Sequence, residues 1–183
     1  MVGATVFKLS DFNCSVKSLE ISDADILQQL YEKCADYNYL MEGQPPSPTA
    51  ALDEFSAIPE GKSLQDKYML GIFDSQDRLI GLIEGIQNYP ENRIWWVGLI
   101  MLAPANRCRG LLRPLAKEFE QWIAMQKIDY DYVMGSVVET NNKVLRLWQQ
   151  MGFEVVRRTE REHSEPKSHC LFVIRRKVCY RNN

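Results

Sequence analysis

The sequence predicts an α+β fold in which helices cover a mixed, mostly antiparallel sheet. Its 183 residues are 45% hydrophobic, which suits a single domain spanning residues 1–183 with a core of its own. The apolar runs 68–73 and 79–87, joined by a polar turn, indicate an antiparallel hairpin. Two further apolar runs, 94–102 and 132–138, enclose a helical pattern and therefore indicate a βαβ unit with two parallel strands.

The amino-terminal part supplies the first helices. Residues up to 15 show no strong periodicity, and a strand is predicted over 16–21. Ser22 then caps a helix whose first turn is acidic, as the helix dipole favours. Consecutive prolines exclude a helix over 42–48, and a second helix is predicted over 49–57. At the other end, strands over 154–159 and 169–178 flank a charged loop.

Composition and charge exclude several functional classes. The net charge of −2 and the pI near 5.8 argue against a general nucleic-acid binder. No apolar run approaches the roughly 20 residues of a membrane span and no leader pattern opens the chain, so we expect a cytoplasmic protein without a membrane partner. The five cysteines form no C-x-x-C pair, which argues against a metal site. Composition leaves a homodimer open.

The most informative stretch runs from Ile94 to Ile123. A buried strand ends before Pro104, a short polar loop follows with two guanidinium groups, and apolar residues then recur every fourth position from Leu111 as a helix face. Free amides and the positive end of the helix dipole converge on such a loop, and Gly110 lets backbone approach a phosphate closely. The stretch therefore predicts an anion site, although the patterns GxxxxGK[ST] and GxGxxG are both missing.

This stretch resembles a known acetyl-CoA signature. The pattern Leu102-x-Pro104-x-x-Arg107-x-x-Gly110-x-Leu112 is similar to V-x-P-x-x-[QR]-x-x-G-x-[GA] of the GCN5-related N-acetyltransferase (GNAT) superfamily. Leu112 departs from the glycine or alanine of the last position.

A second motif of the same family lies about thirty residues on. The family's N-x-x-A-x-x-x-Y-x-x-x-G-F is matched by Asn141, Gly152 and Phe153, with Val144 in place of the alanine and Trp148 in place of the tyrosine. Two imperfect motifs in the right order, separated by a βαβ distance, make the resemblance specific.

The resemblance implies the GNAT fold, with about six to seven strands, about four helices and a central parallel pair that splays apart. It implies acetyl-CoA as co-substrate and no metal. The pantetheine arm would pair with the edge of the strand before the loop, as an added strand does, and the pyrophosphate would lie on loop amides. The implied cofactor-binding residues are Ile100, Met101, Leu102, Arg107, Cys108, Arg109, Gly110, Leu111, Leu112 and Asn141.

The residues available for acid–base chemistry are less regular. The strand 94–102 carries no carboxylate, so Glu84 and Glu139 on neighbouring strands are the candidate bases, with plain surface charge as the alternative. Trp148 occupies the position at which the family's tyrosine protonates the leaving thiolate, and an indole N–H is too weak an acid for that. It packs either on the pantetheine or in the core. Gly98 marks either a bulge that starts the splay or a close packing contact.

The acceptor is predicted from charge alone. Residues 22–60 carry eight acidic side chains and one basic one, which favours a small cationic amine such as a polyamine or an aminoglycoside, or a lysine of a protein. Solvated helix faces explain the same count equally well. Tyr37 and Tyr39 are candidates for lining an acceptor pocket.

Two functions are consistent with these patterns. The first is an N-acetyltransferase that moves the acetyl group of acetyl-CoA directly to a primary amine. The alternative is an acyl-CoA-binding sensor or interaction module that keeps the cleft and has little or no turnover. Trp148 and the lack of a carboxylate on the strand 94–102 are the features that favour it.

Overall fold

The computed structural model describes residues 3–126, 130–161 and 169–178, and this part of the chain forms one eight-stranded sheet with helices on both faces. The strands are β1 (Thr5–Leu9), β2 (Cys14–Ser18), β3 (Lys67–Phe73), β4 (Leu79–Gln87), β5 (Ile94–Leu102), β6 (Tyr132–Val138), β7 (Glu154–Arg161) and β8 (His169–Lys177). The helices are α1 (Ala24–Lys33), α2 (Ala35–Glu42), α3 (Ala50–Ser56), α4 (Leu112–Ala124) and α5 (Asn142–Gln150).

The strand order is β1-β2-β3-β4-β5-β6-β8-β7, and only β5 and β6 are parallel neighbours in the described sheet. The predicted α+β class, the hairpin and the βαβ unit are therefore confirmed. The sheet has one strand more than the upper expectation because β1 pairs with β2 at the edge, where little burial leaves only a weak apolar pattern. The loop between β7 and β8 was expected over 160–168; β7 extends to Arg161, and residues 162–168 and the tail beyond 178 lie outside the described residues.

The helices of the amino-terminal half differ from expectation in two ways. Ser22 does not cap the first helix; a 3₁₀ turn at Ile21–Asp23 precedes it, closed by a reciprocal capping box between Glu20 and Asp23. The helical pattern also breaks at Cys34, which separates α1 from α2. The Cys34 thiol is fully buried and donates to the Leu102 carbonyl at 3.4 Å, so this break joins the helices to the end of β5.

The core lies on both faces of the sheet. On one face α4 buries Leu111, Leu115, Phe119 and Ile123, each 4% exposed or less, which confirms the helix face predicted from their spacing of four. Burial of each such side chain contributes about 1.5–3 kcal/mol. On the other face α1 and α3 pack over apolar residues of β3, β4 and β5.

The parallel pair is joined over only half its length. Ile94–Val97 of β5 is paired with Tyr132–Gly135 of β6, and beyond these residues β5 pairs only with β4, and β6 only with β8, within the described chain. At the same point the register between β4 and β5 shifts, leaving Gly98 as an extra residue in β5. The predicted splay is therefore present, and a β-bulge at Gly98 marks where it begins.

Candidate active site

A cleft of about 1220 Å³ fills the space between the parted strands. Its walls come mainly from five segments: residues 97–102 of β5, the loop and first turn around 106–113, residues 134–138 of β6, most of α5 and one face of α2. Nine of the ten expected cofactor-binding residues contribute to this lining, Arg109 being the exception. Trp148 lines the cleft as well, whereas Glu84 and Glu139 do not.

The edge of β5 offers backbone groups to the cleft. The Ala103 N–H donates to the Ile80 carbonyl at 2.8 Å and so faces β4. Because successive residues of a strand point their backbone groups to opposite sides, those of Leu102 and Ile100 face the gap. The Leu102 carbonyl already accepts from Nε of Arg107 at 2.7 Å and from the Cys34 thiol.

The loop after β5 turns through two left-handed residues, Cys108 with φ of 58° and Gly110 with φ of 79°. Along this stretch, the first N–H of α4 with a backbone partner among the described residues is that of Leu115, which donates to Leu111 at 3.1 Å. The amides before it are therefore available to an anion, except at Pro114, which has none. A Cβ added at Gly110 would meet no atom within 4 Å, so there is room above the loop.

Three cations surround this loop. Arg113, Lys143 and Arg146 all line the cleft, with Lys143 Nζ 3.6 Å from the Cys108 sulfur and Arg113 donating to the Gln150 side chain at 2.8 Å. Charged donors beside free amides suit phosphate groups. The sequence interpretation missed these side chains; the signal was the spacing of three between Lys143 and Arg146, which places both on one side of α5.

The side chain of Arg107 is used for structure. Besides the Leu102 carbonyl it holds Asp36 of α2 in a bidentate ion pair, in which the second guanidinium nitrogen lies 3.0 Å from the carboxylate. These hydrogen bonds lower the pKa of Asp36. What Arg107 can offer to a cofactor is therefore its backbone, while Arg109 lies exposed outside the cleft lining.

Asn141 and Trp148 occupy opposite ends of α5. The Asn141 side chain caps the helix by accepting from the Val144 amide at 3.3 Å. The half-buried Trp148 ring packs edge-on against Phe153, with ring centroids 4.8 Å apart. Its indole thus forms part of an apolar wall on the β6 side of the cleft.

Glu84 lies directly behind the point where the strands part. The side chain is 5% exposed, and its carboxylate occupies the space that a Cβ of Gly98 would need. Gly98 therefore serves both as the bulge and as a close packing contact, the two alternatives left open by the sequence. Burial raises the pKa of Glu84 to about 7, against the lowering effects of Lys67 and of the Gly98 amide.

A buried network continues from Glu84 toward α3. Nζ of Lys67 lies 3.6 Å from Glu84 and 2.9 Å from the Glu54 carboxylate, and it also donates to the Ala57 carbonyl at 2.8 Å. The Tyr31 hydroxyl donates to the other Glu54 oxygen at 3.0 Å. Lys67 is 3% exposed, so it interacts with these partners with little competition from water.

Glu139 has a different environment. Its carboxylate accepts two hydrogen bonds from Arg158, each 2.9 Å long, and both side chains are solvent-accessible. These bonds lower the pKa of Glu139. A surface carboxylate held by an arginine away from the cleft fits the surface-charge alternative better than the role of a base.

The acidic residues of the amino-terminal helices are largely engaged elsewhere. Asp23 accepts from the Glu20 amide, Asp53 accepts from the Thr49 hydroxyl, and Glu54 belongs to the Lys67 network. Only Asp36 of the eight lines the cleft. The described residues gather no group of three or more metal-ligating side chains. Among the same residues, no helix combines the length and apolar character needed to cross a membrane.

Comparison with known proteins settles the family. Residues 16–170 match the family model described as an acetyltransferase (GNAT) domain. The chain belongs to this family. As a GNAT acetyltransferase it uses acetyl-CoA as the acetyl donor. A search of curated protein sequences found no significant match.

Solved structures share the fold of this GNAT enzyme at low sequence identity. An acetyltransferase from Thermus thermophilus superposes with a TM-score of 0.70 and 16% identity, covering 96% of this chain and 100% of the other. The spermidine N-acetyltransferase from Vibrio cholerae in complex with CoA and spermine gives 0.69 and 19%, covering 91% and 96%. A GCN5-related N-acetyltransferase from Kribbella flavida gives 0.64 and 19%, covering 91% and 98%.

Proposed function

We propose that this enzyme transfers the acetyl group directly from acetyl-CoA to a primary amine bound at the point where β5 and β6 part. The observation that carries the proposal is the unpaired edge of β5 at Ile100 and Leu102, which opens into a cleft ending at the free amides before Leu115. A strand edge and a set of loop amides, joined by one cleft, match the amide-bearing arm and the diphosphate of a single extended cofactor.

Different residues around the cleft would bind different parts of the cofactor. The backbone of residues 108–113 would hold the pyrophosphate, and Arg113, Lys143 and Arg146 would balance the phosphate charge. The Ile100 carbonyl and the Leu102 amide would pair with the pantetheine, because the Leu102 carbonyl is already held by Arg107 and Cys34, and the Trp148 ring would form an apolar wall. This arrangement places the thioester near Gly98, at the closed end of the gap.

Glu84 is the base that the geometry supports best. An alkylammonium has a pKa near 10.4 and must lose a proton before its nitrogen can attack. The carboxylate lies against Gly98, which lines the cleft, and a pKa of about 7 places it close to the operating pH of a general base. Because the side chain itself does not line the cleft, the proton would reach it through a water molecule.

The transfer then follows ordinary acyl chemistry. The amine lone pair attacks the thioester carbonyl carbon, and the Ile100 amide, the gap-facing N–H nearest Gly98, donates a hydrogen bond to the developing oxyanion. Collapse of the tetrahedral intermediate breaks the carbon–sulfur bond and releases the CoA thiolate, while the nitrogen gives its remaining extra proton to solvent. A thiol pKa near 8.5 makes the thiolate an adequate leaving group, so Trp148 need not supply a proton.

The test combines a binding and a turnover measurement on the full chain. Acetyl-CoA is mixed with a panel of primary amines, and free thiol is measured over time; a thermal shift with CoA is measured in parallel. We expect a shift with CoA and thiol release that depends on the amine. A shift without release from any amine would support the binding-module alternative, and the absence of both would contradict the assignment of the cleft.

A further inference from the structure

One face of α2 forms the cleft wall on the side away from the phosphate-binding cations. Tyr37, Leu40 and Met41 stand at positions i, i+3 and i+4 and all line the cleft. No residue of α2 is fully buried, and Leu40 and Met41 belong to neither core cluster of the described chain. This apolar face of α2 is therefore exposed to the cleft.

The sheet adds apolar side chains to the same region. Leu99 and Met101 line the cleft beside Gly98 and belong to the core cluster on the α1–α3 face of the sheet. Cofactor phosphates would occupy the α4–α5 end, where the cations lie. The space bounded by α2 and by these β5 side chains is thus left for the acceptor, with Glu84 behind Gly98 at its inner end.

The charges of the lining oppose a polycationic acceptor. The described lining contains four cations (Arg107, Arg113, Lys143 and Arg146) and one carboxylate, Asp36, which is already held by Arg107. A second ammonium group on the acceptor would have to give up hydration there without gaining a carboxylate partner. Of the acidic residues counted over residues 22–60, only Asp36 reaches the cleft, so the acidic surplus cannot select the acceptor at short range.

We infer that the acceptor is a primary monoamine with an apolar substituent, an alkylamine or arylalkylamine, rather than a polyamine. The inference rests on the proposed acetyl transfer and adds the class of substrate. The ammonium loses its proton toward Glu84 at the bulge, and the substituent lies over Leu99 and Met101 against the apolar face of α2. Each methylene buried there contributes to transition-state binding, whereas a terminal charge does not.

A matched pair of amines tests the inference on the unmodified protein. Hexylamine and 1,6-diaminohexane have the same chain and differ by one terminal ammonium group. We expect kcat/KM to be at least about tenfold higher for hexylamine, and to rise about two- to fourfold with each methylene from propylamine to hexylamine, as burial of a methylene predicts. Phenethylamine should exceed spermidine.

Equal or better turnover of 1,6-diaminohexane and spermidine would overturn the acceptor class and leave the acetyl transfer standing. Thiol release from none of the amines would remove both.

A carboxylate placed on this wall should abolish the preference for the monoamine. Leu40→Asp adds a carboxylate to the cleft face of α2, and Leu52→Asp, at an exposed position of α3 outside the cleft lining, is the matched control. The ratio of kcat/KM for hexylamine over the diamine should fall at least about tenfold in Leu40→Asp and stay at the wild-type value in Leu52→Asp. A thermal shift with CoA confirms that each variant is folded, and an unchanged ratio in a folded Leu40→Asp would contradict the inference.

Discussion

The two halves of β5 belong to one apolar run, but they differ in what lies along the edge of the strand that faces β6. Over Ile94–Val97 the strand is bonded on both sides, and Trp95 within it is completely buried in an aromatic cluster. Among the described strands, β5 pairs from Leu99 onward with β4 alone, and its other edge faces the cleft. One strand thus supplies part of the core with its first half and part of the site with its second.

A single residue separates these halves. Gly98 is the extra residue of the bulge, and the carboxylate of Glu84 fills the place where its side chain would be. The change from core to site therefore coincides with the only buried glutamate of the described chain. We therefore expect substitutions at this boundary to change catalysis more than substitutions within either half of the strand.

The largest effect is expected from Glu84→Gln. Removing the proton acceptor while keeping the shape should lower kcat about a hundredfold or more, as loss of a general base does. Glu139→Gln is the matched control, because that carboxylate is exposed and held by Arg158, and its kcat should stay within about twofold of wild type. Steady-state thiol release measures both. Similar losses of kcat in the two variants would contradict the assignment of Glu84, rather than Glu139, as the base.

Gly98→Ala should follow. The added Cβ overlaps the Glu84 carboxylate, which must move, so we expect kcat to fall at least about tenfold and stability to fall about 1–3 kcal/mol. Gly85→Ala is the control on β4, opposite the paired half of β5, where the new Cβ would lie 2.5 Å from Nε1 of Trp95. That variant should lose stability in chemical denaturation yet keep its kcat per folded molecule. A Gly98→Ala enzyme with full activity would show that the position of this carboxylate is unimportant.

Lys67→Met tests how the Lys67 ammonium influences the pKa of Glu84. Burial raises the pKa of Glu84 and Lys67 opposes the rise, so loss of the ammonium should raise that pKa further above 7. Since the ionised carboxylate is the active form, the acid limb of the kcat profile should move to higher pH. Activity at about pH 6 should then fall several-fold more than activity at about pH 8. A purely structural role of Lys67 would lower kcat equally at all pH values.

The smallest effect is expected at Trp148. A tyrosine there would restore the family's usual acid, but the CoA thiolate departs without one, so Trp148→Tyr should change kcat less than about tenfold. Trp148→Phe, which offers no acid, should give a kcat within a few-fold of the tyrosine variant. A gain of tenfold or more confined to the tyrosine variant would show that the native enzyme lacks a useful acid.

Much of the fold could be predicted because its signals are local. The apolar run of β5, Pro104, Gly110 and the spacing of four along α4 each act within a few residues, and all appear in the structure as expected. The edge strand β1 was missed because an edge buries little surface. The break at Cys34 was missed because neither proline nor glycine marks it in the sequence, and the Cys34 thiol contacts the Leu102 carbonyl from a distant part of the chain.

The candidate site was harder to predict because charge counts ignore distance. The sequence shows eight acidic residues near the first helices but not that Asp36 is held by Arg107 or that Glu54 forms an ion pair with the buried Lys67. Likewise, Glu84 and Glu139 look equivalent in the sequence, because each lies on or at the end of a predicted strand. What separates them is burial and the identity of the neighbouring cation, both of which depend on strand register.

The guanidinium of Arg107 has one further consequence. It joins the last carbonyl of β5 to Asp36 at the start of α2, so one side chain supports the segment next to the cofactor loop and the helix that lines the acceptor space. In the proposed reaction, the binding of both substrates would therefore depend on this one side chain. Loss of that side chain would loosen both surfaces together. A substitution of Arg107 is therefore expected to affect cofactor binding and acceptor binding at the same time.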